Sequence, residues 1–180
     1  MSELLFNELP RPTFRWLRVN HTVSSLAGED TAVQSIAVEA NKNILSPLPV
    51  GTALLDGNYE GANKEAVHVL VEKAEGYAIN VPPKAKEVVG IRIDANARVA
   101  NRFQFIVGEG AELEVQFYVT GSGDALTNVS YLNEYDVKEA GKVVVKKVNL
   151  LPEHVQHIEH RYTKLEEKAD VEYINIEIGG

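Results

Sequence analysis

The sequence predicts a mainly β fold of the parallel β-helix type, and two patterns carry that reading. The first is alternation. From His68 onward apolar residues recur at every second position in a succession of short runs, the period of a strand whose neighbouring side chains face opposite sides of a sheet. The second is a soft internal repeat: Ala111, Ala140 and Ala169 stand 29 residues apart, and Val115, Val144 and Tyr173 follow each alanine by four. A chain repeating on such a period stacks equivalent strands, places small residues at tight corners and lines its interior with apolar ladders. An antiparallel β-sandwich satisfies the same alternation and stays open as the alternative.

The elements divide into residues 1–66, an N-terminal arm and connecting segment, and residues 67–180, a partial β-helix core. The arm is irregular or partly helical. From Leu9 to Leu26 it mixes Phe14, Trp16, Leu17 and Val19 with prolines and basic residues in no sustained period, so it reads as a docked arm with Trp16 against the core. Between Asn41 and Ala62, Ser46-Pro47, Leu48-Pro49, Gly51, Asp56-Gly57 and Gly61 read as connection, and Glu60 to Glu65 as the start of a short helix. Val67, Val69 and Val71 open the alternation. Ile79 and Val81, Ile91 and Ile93, Phe103 to Val107, Leu113 to Val119, Val143 to Val148 and Val171 to Ile178 continue it. Half-period matches to the repeat fall at Ala97 and Ala125. In the last run the apolar parity changes between Tyr173 and Ile174, which predicts a bulge or corner.

Composition narrows the function classes. A length of 180 residues with 44% hydrophobic and 24% charged residues describes a globular domain that buries its own core. No apolar run spans a bilayer, and Met1 to Pro10 has neither the basic start nor the apolar centre of a secretory signal, so a cytoplasmic location without membrane binding is expected. The net charge of −8 argues against nucleic acid, whose affinity for proteins rests on lysine and arginine. With no cysteine the chain has no thiolate for a nucleophile, a Cys-type zinc site or ordinary ligation of an iron–sulfur cluster.

The motifs that suggest chemistry read better as structure. His154, His157 and His160 are spaced by three, which puts neighbours on opposite faces of a strand and spreads them around a helix. They read as a polar turn without a metal, in which His157→Ala changes stability little. Gly108-Glu109-Gly110 lacks the third glycine of a dinucleotide fingerprint, and Gly121-Ser122-Gly123-Asp124 reads as a turn. No serine-nucleophile elbow is present. The acid pairs Glu29-Asp30 and Glu166-Glu167 point to opposite faces if extended, so they cannot attack one glycosidic bond together. No catalytic residue is assigned.

Three stretches resemble the SufB/SufD family of iron–sulfur cluster assembly proteins. Gly76 to Asp94, GYAINVPPKAKEVVGIRID, is similar to the entry into that family's β-helix, with Val81-Pro82, Lys84 and a second strand at Ile91 and Ile93. Arg102 to Gly121 resembles the following rung, and Val171 to Gly180 the strand that ends in paired glycines. The opening LPRPTFRWLRVN resembles the amino-terminal segment of short SufD-like proteins. The resemblance implies a right-handed parallel β-helix and a SufD-like scaffold subunit, not an enzyme, acting through protein–protein binding. It implies SufB-like and SufC-like partners and an iron–sulfur cluster only in the assembled complex, with no cofactor on this chain alone. The absence of cysteine sets the chain on the SufD side. A carbohydrate-binding or carbohydrate-active β-helix is the rival reading. Family members continue beyond the position of Gly180, so the chain reads as the family's amino-terminal part. Ile174, Ile176 and Ile178 are then the candidate surface for a partner or for a symmetric homodimer through the C-terminal rungs.

Overall fold

The computed structural model describes residues 3–6, 22–25, 36–55, 59, 64–121 and 127–178. Trp16, most of its arm, Glu29-Asp30 and Ala125 lie outside the described residues. Strands β1 (Glu3–Phe6) and β2 (Thr22–Ser25) form an antiparallel pair. Next come β3 (Ile36–Glu39), β4 (Leu45–Leu48) and helix α1 (Lys64–Lys73). Eight longer strands follow: β5 (Gly76–Val81), β6 (Lys86–Asp94), β7 (Val99–Val107), β8 (Glu112–Thr120), β9 (Thr127–Val137), β10 (Lys142–Leu150), β11 (Val155–Leu165) and β12 (Asp170–Glu177).

These eight strands alternate between two sheets, ordered β3-β6-β8-β10-β12 and β4-β5-β7-β9-β11. Every pairing among them is parallel, while β3 and β4 join antiparallel at one end. The fold is a parallel β-solenoid of about three turns, and the antiparallel sandwich is set aside.

The strand-to-strand corner shows why the sequence coils. Residues 82–85, 108–111, 138–141 and 166–169 each close a turn in which the fourth N–H donates to the first carbonyl at 2.9–3.2 Å. The third residue of each turn is left-handed: Lys84, Gly110, Ala140 and Lys168, with φ of 61°, 60°, 55° and 59°. Stacked corners also bond to one another, since Lys84, Gly110 and Ala140 each donate a backbone N–H to the next coil's Glu109, Glu139 or Glu167 carbonyl at 2.9 Å. The backbone ladder thus continues through the bend, where an unpaired buried amide is costly.

This corner corrects the repeat. Register pairs Val115 with Val145 and Val145 with Tyr173, so Val145, not Val144, lines the lumen. Ala111 is equivalent to Gly141 and Ala169, whereas Ala140 matches Gly110 and Lys168. Successive coils differ in length, and the 29-residue spacing is the mean of two unequal steps.

The lumen between the sheets is the core. Ile79, Val81, Val89, Ile91, Ile93, Phe103, Phe105, Val107, Val115, Phe117 and Val119 are all buried there, and Phe117 meets Phe103 edge to face at 5.6 Å. Burying an aliphatic or aromatic side chain of this size stabilises by about 1.5–3 kcal/mol.

Two readings of the N-terminal half change. Val67, Val69 and Val71 lie in α1 and begin no strand. Val67, Leu70, Val71 and Ala74 are buried with Tyr59 and Leu132, and their i, i+3, i+4, i+7 spacing is helical. The prolyl segment includes β4, in which Pro47 is tolerated because β4 ends its sheet. Helix α1 covers the outer face of the β9 sheet, fastened by a polar clasp. Fully buried Arg102 donates to the carbonyls of Ala74 (2.9 Å), Thr52 (2.6 Å) and Pro49 (2.6 Å). Glu134, also fully buried, accepts from Gln104 (2.9 Å), Leu54 N–H (3.0 Å) and the Tyr59 hydroxyl.

Candidate functional site

The interest of the structure lies in the coil made by β11 and β12, the outermost strands of the two sheets among the described residues. Register fixes which side chains face inward. On the β12 sheet the ladder Ile91, Phe117 continues to Lys147 and Asn175, and the ladder Ile93, Val119 continues to Asn149 and Glu177. On the β11 sheet, Val129, Tyr131 and Asn133 stand beside His157, Glu159 and Arg161. The lumen changes from hydrocarbon to charge within one coil.

The charges are paired there. Lys147 and Glu159 retain only 4% and 8% side-chain exposure. Lys147 Nζ lies 2.9 Å from Glu159 and 2.6 Å from Glu177, and Arg161 grips Glu159 through two N–H groups at 2.5 and 2.8 Å. Asn133 donates a further hydrogen bond to Glu159 at 2.9 Å. Burial pushes the Glu159 carboxyl up, yet the Arg161 hydrogen bond and the Lys147 charge outweigh it and hold the group below its ordinary value. Glu177 is lowered in the same way, burial opposing and Lys147 and Asn149 prevailing. Arg161 also lies over the Tyr173 ring, 4.7 Å from its centroid.

His157 sits in β11 inside this cluster, which overturns its reading as part of a polar turn. Asn149 Nδ2 stands 3.0 Å from His157 Nδ1, and the Tyr131 hydroxyl 3.1 Å from Nε2. Burial, followed by the Lys147 charge, depresses the imidazole to about 4. The expectation that His157→Ala is nearly silent is therefore withdrawn, since the ring's loss strands two buried partners. His160 faces the opposite side of β11, as a spacing of three dictates, and no group of three or more His, Cys, Asp or Glu able to hold a metal occurs among the described residues. Glu166 and Glu167 are exposed corner residues, with Glu166 bound to Lys138 at 3.1 Å.

The candidate contact residues lie on the outside. Ile174 and Ile176 point outward from β12 and Ile178 follows it, with exposures of 42%, 50% and 60%. The change of parity after Tyr173 is not a bulge, because β12 pairs with β10 without interruption from Asp170 to Glu177. Instead the chemistry inverts: Asn175 and Glu177 take the inner positions and the isoleucines the outer. Ile176 continues an outward row through Val148, Tyr118 and Arg92, and Tyr118 is 45% exposed. A shallow depression of about 580 Å³ lies on this face, among Glu39, Gly90, Arg92, Tyr118, Lys146 and Val148.

No protein-family model matches the chain, and neither a curated protein nor a solved structure matches it. The solenoid is thus established by its own geometry. No helix among the described residues is long and apolar enough to cross a membrane.

Lys147, Asn149, Glu159, Arg161 and Glu177 escape sequence reading. For Lys147, Asn149 and Glu177 the signal is a parity clue, since Val143, Val145, Lys147, Asn149 and Val171, Tyr173, Asn175, Glu177 are inward-facing series that turn polar at their third member.

Proposed function

We propose that the chain is a scaffold subunit of a SUF-type iron–sulfur cluster assembly complex, located in the cytoplasm and working by binding SufB-like and SufC-like proteins. The observation that carries this reading is the exposed apolar run Ile174, Ile176 and Ile178 on an outermost strand, contiguous with Tyr118 and Val148. Soluble surfaces keep such patches small unless a partner covers them. The solenoid agrees with the architecture that the resemblance implies, and the lack of cysteine suits a subunit that supports a cluster without ligating it by thiolate. A homodimer through the same coil is the alternative partner on this face.

Affinity capture of the chain alongside SufB-like and SufC-like subunits of its source organism tests the proposal. A stable complex that Ile176→Asp abolishes is the expected result, and specific glycan binding without capture of those subunits overturns it. The glycan reading draws little from the sheet-face depression, whose lining holds one carboxylate, Glu39, and one exposed ring, Tyr118. A glycosidase sets two carboxylates across its groove. Iron and sulfide reconstitution of the isolated chain is expected to yield no visible charge-transfer bands.

A further inference from the structure

We infer that the coil formed by β11 and β12 is an acid-sensitive latch: buried Lys147 and half-buried Arg161 balanced by two carboxylates, threaded by a hydrogen-bond chain that requires a neutral His157, hold it on the hydrocarbon-filled coils. This goes beyond the scaffold reading and stands independently of which partner the chain takes.

The hydrogen bonds run in one direction. Leu151 N–H donates to Asn149 Oδ1 at 3.1 Å, which fixes the orientation of that amide. Its Nδ2 therefore faces His157 Nδ1, 3.0 Å away, and as a donor it requires an unprotonated Nδ1. His157 Nε2 then carries the proton and donates to the Tyr131 oxygen at 3.1 Å. The Tyr131 hydroxyl points on to Glu159 at 3.4 Å. A proton placed on Nδ1 sets two donors against each other and reverses nothing else in the chain, because every other link is already assigned. Burial and the neighbouring Lys147 charge act on the ring in the same sense, holding its proton affinity down.

The charge balance responds to the same change. The titratable and charged groups facing His157 are Tyr131 from β9, Lys147 from β10, Glu159 and Arg161 from β11, and Glu177 from β12, while Tyr135 and Tyr173 border the cluster beside Glu159 and Arg161. At neutral pH the count is Lys147 and Arg161 against Glu159 and Glu177. Acid adds a third cation at His157 beside Lys147 and Arg161, while Glu159 and Glu177, held below their ordinary values, still supply only two anions, so positive charge comes to exceed negative around the ring. Opening the coil returns each group to water, where the imidazole takes up its proton near pH 6.5. The opened form thus binds more protons than the closed one, and closure weakens as pH falls from about 6.5 toward 4. The lumen ladders of the coils below lack this dependence, since Ile91, Ile93, Phe103, Phe105, Phe117 and Val119 do not titrate.

Amide hydrogen exchange of the whole chain, corrected for the intrinsic pH dependence of exchange, tests the latch. Between pH 6 and 4.5 the opening constant of residues 155–177 is expected to rise about tenfold per pH unit, the slope of a one-proton linkage, while residues 76–119 change far less. His157→Gln is expected to flatten that slope, and Glu177→Gln to raise last-coil opening about tenfold at pH 7 without altering residues 76–119. Parallel loss of protection in both regions overturns the latch, as does a slope that His157→Gln leaves unchanged or a last coil that Glu177→Gln leaves closed.

Discussion

At the level of β6 and β8 the lumen-facing ladders carry Ile91, Ile93, Phe117 and Val119, whereas the same ladder positions on β10 and β12 carry Lys147, Asn149, Asn175 and Glu177. Backbone, register and corner geometry are shared by both regions. What differs is the kind of cohesion. Hydrocarbon burial is non-directional and each side chain adds its share nearly independently, but a buried ion network holds only while every member has its partner. The outermost coil is therefore built with the same hydrogen bonds as its neighbours and a more conditional interior. Its outer surface is inverted to match, with isoleucines where the earlier strands show Gly90, Arg92 and Gln116.

The largest effect is expected from the hydrocarbon side. Phe103→Ala removes a ring that touches Tyr77, Phe105, Phe117 and Tyr131, and urea unfolding is expected to show a loss of about 4 kcal/mol across the whole solenoid. Glu159→Ala strips Lys147 and Arg161 of their shared anion. It should cost about 3 kcal/mol, with exchange protection lost first in β11 and β12. Adding Lys147→Met should restore part of that stability, and a double-mutant cycle without coupling contradicts the network.

Acid titration separates the two regions next. With His157 lowered to about 4 in the folded chain and near 6.5 when unfolded, its contribution is complete above pH 6.5 and is lost as pH falls toward 4. The loss amounts to about 2–3 kcal/mol, read as a falling urea midpoint that His157→Gln suppresses. At the corners, which both regions share, Ala140→Gly relieves a left-handed alanine and is expected to raise the thermal midpoint by the equivalent of about 0.5–1 kcal/mol. The smallest change in folding belongs to Ile176→Asp. Its side chain points to solvent, so stability should stay within about 0.5 kcal/mol while light scattering or partner capture reports loss of association.

The solenoid was legible because period two and an approximate coil length are local, repeated signals. Two of the eight strands β5 to β12 were not. In β9, alternation disappears because Leu132 and Glu134 are buried under α1 and Tyr59 while Tyr131 and Tyr135 are buried in the lumen, and a strand covered on both faces shows no period. In β11 the inward positions are His157, Glu159 and Arg161, so of the three histidines that suggested a turn only His157 faces the interior, while His154 lies in the turn before the strand and His160 on its other face. Val67, Val69 and Val71 misled in the opposite way, since a β-branched alternation too short to exclude a helix was settled by what Leu70 and Ala74 pack against.

By itself the sequence determined that the chain forms stacked strands with turns at near-regular intervals, because backbone alternation and small corner residues are written residue by residue. Only the tertiary structure decided which face of each strand is inside. Facing is a relation between strands nearly thirty residues apart, and a lysine or glutamate reads as solvent-exposed until register sets it beside its counter-charge. The physical reason is that a charge belongs in a lumen only when its partners are already there, and those partners are contributed by three different strands.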